Sequence, residues 1–123
     1  MRPLVHLVWV KPYASAEKFV RYHHEQAYLL AKGRPPRPRL RLPDVLEWDY
    51  SGNELHPAQK PVMAMLPLVM AYSDKGDIVL DPFAGSGTTA VAAKTLGRRY
   101  IGIELDPAYA QKADERVKRE GAR

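Results

Sequence analysis

The stretch Asp81-Pro82-Phe83-Ala84-Gly85-Ser86-Gly87-Thr88-Thr89 follows an apolar strand candidate, Ile78-Val79-Leu80, and opens into a helix-forming run from Ala90 to Leu96. Glycine-rich strand-to-helix turns are where α/β proteins bind nucleotides. Glycine lets the backbone turn sharply and approach a ligand closely, and the new helix presents unpaired N–H groups. Downstream, Arg99-Tyr100-Ile101-Gly102-Ile103-Glu104 reads as a second strand ending in an acid. It lies about 20 residues past the turn, the spacing at which a carboxylate accepts hydrogen bonds from ribose hydroxyls. Together the turn and the acid imply an adenosine-type cofactor.

Gly85, Gly87 and Ala90 satisfy the loose G-x-G-x-x-A dinucleotide pattern, which by itself leaves a nicotinamide-dependent oxidoreductase open. No Gly-Lys-Ser/Thr follows, so a Walker phosphate loop is excluded. The complete string from Asp81 to Thr89 resembles the cofactor motif of the S-adenosylmethionine-dependent DNA amino-methyltransferases, which methylate adenine at N6 or cytosine at N4. His56-Pro57-Ala58-Gln59-Lys60-Pro61 is similar to the element preceding that motif in the branch whose catalytic motif comes first and cofactor motif last. Gly102 to Pro107 resembles the ribose-binding strand end. Trp9-Val10-Lys11-Pro12 and the run from His24 to Lys32 resemble the two strands that close the far side of the family's sheet.

The resemblance implies an α/β fold: a partial Rossmann-like methyltransferase, mostly parallel sheet with flanking helices, lacking its central catalytic strands. It implies one partial domain across residues 1–123. In it, 1–31 are far-side strands, 32–55 a basic segment in the target-recognition position, and 56–123 the cofactor-binding half. The cofactor residues it implies are His56, Lys60, Asp81, Pro82, Phe83, Ala84, Gly85, Ser86, Gly87, Thr88, Thr89 and Glu104. No residue is assigned to catalysis or to a metal. The family's reaction is carried by Asp/Asn/Ser-Pro-Pro-Tyr/Phe/Trp, and the one Pro-Pro here, Pro35-Pro36, lies between Arg34 and Arg37. That element supplies acceptors that hold the amine N–H groups and an aromatic ring that stacks on a flipped base. Without it, cofactor binding is expected and methyl transfer by this chain alone is not. The alternative is a noncatalytic remnant, or a subunit of a split enzyme, whose catalytic half comes from a second polypeptide.

Composition agrees with a fragment or a small domain: 123 residues, 46% hydrophobic, and no cysteine for a disulfide framework or thiolate metal site. A sheet lacking central strands would expose edges open to self-association. Neither a signal peptide nor a membrane-spanning run is visible, and a reducing cytoplasm suits the composition. The 19 basic and 14 acidic residues leave a net charge of +5. Lys32, Arg34, Arg37, Arg39 and Arg41 cluster among Pro35, Pro36, Pro38 and Pro43 with no acid before Asp44. Such a segment is extended and solvated. Arg34, Arg37, Arg39 and Arg41 form a candidate strap on the phosphates of double-stranded DNA, with a plain basic linker as the alternative.

The pattern predicts strands at Leu4–Val10 and Ala27–Ala31, a helix or loop over Ala16–Tyr22, and a turn-rich Asp49–Leu55. A helix then starts at Pro61, kinked or restarted by Pro67. Helices are also expected over Thr88–Leu96, stopped by Gly97, and over Pro107 to about Glu120, capped by Asp106. Their βαβα order implies a right-handed parallel pairing. Asp81 either meets the cofactor's amino group or caps the helix, and Glu104 is a ribose acceptor or an ordinary strand-end acid. Phe83 packs on the cofactor, fills the core beneath the loop, or both. His56 holds the methionine end or starts a helix, and Lys60 neutralises the cofactor carboxylate or is solvated. Adjacent His23, His24 and Glu25 have the wrong spacing for metal ligands, and Trp9, Tyr13 and Trp48 read as packing residues.

Overall fold

The computed structural model describes residues 1–15, 19–48 and 61–120, and the chain divides into two compact units, 1–50 and 51–123. The predicted Asp49–Leu55 turns, His56 and Lys60 lie outside the described residues, as do positions 16–18 of the predicted Ala16–Tyr22 segment and the side chain of Tyr13.

The N-terminal unit is a three-stranded sheet in the order β2-β1-β3. Strand β1 (Arg2–Ser15) and strand β2 (Tyr22–Ala31) pair antiparallel, with Leu7 opposite Ala27 and Trp9 opposite Glu25. Both are longer than the apolar runs that predict them, because ladder hydrogen bonds carry polar residues along. Strand β3 (Val45–Glu47), which the sequence pattern misses, pairs parallel with Val8–Val10 of β1. Alternation places Leu7, Trp9 and Lys11 on one face of β1, where all three are buried. Trp9 meets Trp48 edge to face with ring centroids 6.1 Å apart, so the packing role holds for both. Lys11 donates to Glu25 at 3.3 Å. Between β2 and β3, residues 32–44 form no regular element.

The C-terminal unit is α-β-α-β-α. Helix α1 (Val62–Tyr72) has extended Pro61 at its N-cap and continues through Pro67, so of the two expected effects of Pro67 a shifted start does not occur. Strand β4 (Ile78–Asp81) leads through the glycine turn into helix α2 (Thr88–Thr95), and strand β5 (Arg99–Gly102) into helix α3 (Pro107–Glu120). β4 and β5 pair parallel, Ile78 with Arg99 through Asp81 with Gly102, as the βαβα order predicts. Ala90 and Val91 of α2, Val117 of α3 and Val62 of α1 form the core. On the other face of the two strands Ile78, Leu80, Ile101 and Ile103 stay exposed.

The helix ends are specified by single residues. Arg98 N–H donates to Ala93 O at 2.8 Å and Gly97 N–H to Lys94 O at 3.1 Å, the pair of bonds that closes a helix over a left-handed glycine, here at φ 76°. Asp106 caps α3 as predicted, its Oδ1 accepting the Ala108 N–H at 2.9 Å.

Gly87 carries two constraints. Its φ is +85°, and a Cβ there would sit 3.0 Å from the Cβ of Ala113 on α3. Gly76 has a similar φ of +86° with open space around it. Gly76→Ala is therefore expected to cost about 1–2 kcal/mol from the backbone alone, and Gly87→Ala measurably more, in urea unfolding. Equal losses would show that α3 gives way without penalty.

Candidate cofactor site

The glycine turn and the turn after β5 lie side by side at the carboxyl ends of two parallel strands, the place where open α/β sheets bind ligands. Backbone pairing continues past β5: Ile103 N–H donates to Asp81 O at 2.9 Å, and Ala84 N–H donates to Ile103 O at 2.8 Å. This register puts Glu104 against the glycine turn. One carboxylate oxygen of Glu104 accepts the Gly85 N–H at 2.9 Å and the other accepts the Asp106 N–H at 3.0 Å. Gly85 adopts φ 53° to make this turn, and Asp81 Oδ1 accepts the Phe83 N–H at 3.0 Å. Asp81 thus braces the turn from within it.

Two apolar side chains flank this crevice and are almost wholly exposed, Phe83 at 88% and Leu105 at 97%. Phe83 therefore does not fill the core beneath the loop. The next residue, Ala84, lies against Gly102, its Cβ 3.2 Å from where a Cβ on that glycine would sit. Behind Glu104, between the turn, β5 and α3, lies a cavity of about 130 Å³ lined by Ala84, Gly87, Ala113 and their neighbours. Ligand pockets start at about 300 Å³, so this cavity is too small to enclose a nucleotide-sized molecule.

The hydroxyls of Ser86 and Thr88 point the other way. Both residues are buried, at 3% and 5% exposure, and meet Arg116 of α3, itself 4% exposed. Arg116 Nη1 donates to Thr88 Oγ1 at 2.9 Å, Ser86 Oγ at 3.2 Å and Ser86 O at 3.3 Å, while its Nε donates to Glu120 at 3.0 Å. Sequence reasoning misses Arg116 because it stands in a charged run with Lys118, Arg119 and Glu120. The available signal is its place beside Val117 and three positions after Ala113, on the helix's buried stripe.

Of the other expected residues, Pro82 is exposed, Ala84, Gly85 and Thr89 are half-buried, and Gly87 is buried. Arg34, Arg37, Arg39 and Arg41 are all exposed on the segment between β2 and β3. Among the described residues no cluster of His, Cys, Asp or Glu could hold a metal ion, and no helix is long and apolar enough to cross a membrane.

A parallel strand pair, a left-handed glycine turn and a strand-end carboxylate define the nucleotide-binding end of a Rossmann-like unit. The family profile for DNA methylases of the N6/N4 type matches residues 1–115, and the chain belongs to this family. It is 54% identical over 112 residues to YubD of Escherichia coli K12, described as a methylase, covering 91% of this chain and 49% of that one. A Thermus thermophilus protein described as a DNA modification methylase, solved with S-adenosyl-L-methionine, superposes with a TM-score of 0.73 at 32% identity. That match covers 98% of this chain and 54% of the other. The M1.HpyAVI complex with the same cofactor gives 0.74 at 31% identity, covering 94% of this chain and 62% of the other. The chain thus spans about half the length of these relatives.

Burial pushes the Glu120 carboxyl up, but hydrogen bonds and charge from Arg116 and Arg119 outweigh it and hold the group below its ordinary value. A carboxyl lowered in the folded state contributes its stability fully above the unfolded value, about 4.3, and loses it as pH falls through the folded value. Thermal unfolding followed into acid is expected to lose part of its pH dependence in Glu120→Gln. An acid limb of unchanged steepness would contradict the pairing.

Proposed function

We propose that this chain binds S-adenosylmethionine as the cofactor half of a DNA methyltransferase acting on adenine N6 or cytosine N4. The observation that carries this reading is the Glu104 carboxylate fixed between the Gly85 and Asp106 N–H groups at the open strand ends. A carboxylate has about four lone-pair directions, and two are used, which leaves acceptors for a pair of ribose hydroxyls. The residues fit the cofactor: Gly85 keeps the turn free of a side chain, Gly87 lets α3 pack close beneath it, and Asp81 has a second oxygen to offer the methionine ammonium. Phe83 and Leu105 offer apolar surface that a flat adenine ring would cover. Backbone groups of Pro82, Ala84 and Thr89 would frame the turn, and His56 and Lys60 would hold the methionine end. Ser86 and Thr88, by contrast, serve the turn from beneath. When bound, the cofactor supplies a methyl group on a positively charged sulfur.

This chain's residues hold and orient that group, and the acceptor that prepares the amine is a different element. No Asp/Asn/Ser-Pro-Pro-aromatic stretch occurs in the sequence. Methyl transfer therefore requires a further segment, in a longer form of the protein or in a second polypeptide, and residues 1–123 are read as one partial methyltransferase domain. The exposed Ile78, Leu80, Ile101 and Ile103 give such a segment apolar surface to cover, or a second copy of the chain a place to associate. A second reading, a noncatalytic cofactor-binding subunit, is favoured by the same missing stretch. Either form works where DNA is methylated, in the cytoplasm.

Isothermal titration tests the cofactor assignment. S-adenosylmethionine and S-adenosylhomocysteine are expected to bind and NAD not to, with Glu104→Ala weakening binding by about 1–3 kcal/mol through loss of charge-assisted hydrogen bonds. Equal binding by parent and variant would overturn the role of Glu104. Binding of NAD alone would return the turn to the dinucleotide class.

Arg34, Arg37, Arg39 and Arg41 are proposed to contact DNA phosphates. Replacing all four with glutamine is expected to lower affinity for double-stranded DNA and flatten its salt dependence, each lost contact removing about 0.9 from the logarithmic slope. An unchanged slope would make the segment a plain linker.

A further inference from the structure

We propose that Arg116 is a positioning residue for cofactor binding: from beneath, it holds the Ser86–Thr88 segment of the glycine turn in the shape that receives S-adenosylmethionine. This inference rests on the cofactor reading above. Arg116 has no place in the binding chemistry, since its guanidinium lies below the turn and is almost completely buried. Burying a guanidinium is costly unless its donors find acceptors, and here Nη1 meets three oxygens of the turn while Nε meets Glu120. Nη1 carries two hydrogens, so its three acceptors share them. The Ser86 carbonyl, the Ser86 hydroxyl and the Thr88 hydroxyl are thereby drawn to one point. That point spans Gly87, whose left-handed φ of 85° turns the chain into α2.

The consequence is specific. The turn has no bulky side chain of its own to hold its shape, and α2 has no side-chain cap at Gly87. Glu104 ties the turn at Gly85 from the strand side, and Arg116 ties it at Ser86 and Thr88 from the helix side. Side chains that would ordinarily be assigned to the ligand, Ser86 and Thr88, instead act through Arg116. The planar fork of Arg116 matters because a lysine at this site carries the charge without it.

The test compares parent, Arg116→Met, Arg116→Lys, Thr88→Val and the Arg116→Met/Thr88→Val double variant by titration with S-adenosylmethionine and by amide hydrogen exchange without it. Lys94→Met is the control, since Lys94 also joins α2 to α3, through Val117 O at 3.3 Å. Arg116→Met is expected to raise the dissociation constant about tenfold or more, the scale of lost hydrogen bonds to a charged group. Arg116→Lys should recover part of that loss. The double variant should lose less than the sum of the two single losses, because the Thr88 hydroxyl meets the guanidinium. Exchange should quicken at residues 84–88 in Arg116→Met and remain at the parent rate there in Lys94→Met. Parent-like affinity in Arg116→Met, or penalties that simply add in the double variant, would overturn the proposal. So would loop exchange that is unchanged, or that quickens equally in the control. Should the parent itself fail to bind S-adenosylmethionine, the cofactor reading falls and the cofactor part of this proposal falls with it. The exchange comparison then decides separately whether Arg116 holds the turn.

Discussion

The Glu104 carboxylate joins two strand-to-helix turns that would otherwise diverge into separate helices. Its two oxygens accept one N–H from each turn, Gly85 on the β4 side and Asp106 on the β5 side. The geometry follows from backbone register: parallel pairing continues through Ile103, and the next residue falls opposite the glycines. An acid is needed at that position because an amide side chain has only one oxygen and could not accept from both turns in this way. The same two hydrogen bonds stabilise the unit and hold the carboxylate at the mouth of the crevice.

Small residues make that arrangement possible. α2 carries Ala90, Ala92 and Ala93 in its buried face, and α3 brings Ala113 so close to Gly87 that a methyl group there would have to push it aside. Close helix approach is what brings Arg116 within reach of Ser86 and Thr88. Glu120 then supplies the counter-charge from one turn further along α3. A buried guanidinium that directs Nη1 at the turn and Nε at Glu120 favours one loop shape, whereas an apolar contact of the same size would tolerate several.

Much of the C-terminal unit is legible because its signals are local. The apolar run before Asp81, the glycine at 97 and the Asp-Pro pair at 106–107 each determine an element through short-range geometry, and β4, α2 and α3 stand where those signals put them. Strand β3 is illegible because three residues, Val45-Leu46-Glu47, carry no period and become a strand only by pairing with β1. Pro67 reads as a kink or a new start, and α1 passes through it without restarting. Within the site, the acid and the glycines are legible by spacing. The inward direction of Ser86 and Thr88 is not, since it depends on a partner that lies 30 residues beyond Ser86 along the chain.

Membership of the DNA methylase family and coverage of about half of its relatives' length make cofactor binding the central question for this chain. The most direct measurement is a titration of isotope-labelled chain with S-adenosylmethionine, followed by amide chemical shifts. Saturable shifts centred on Gly85, Gly87, Glu104, Leu105 and Asp106, with the β1–β2 sheet unaffected, are expected of a cofactor seated across the two turns. Shifts absent from those amides, or centred elsewhere in the chain, would contradict it.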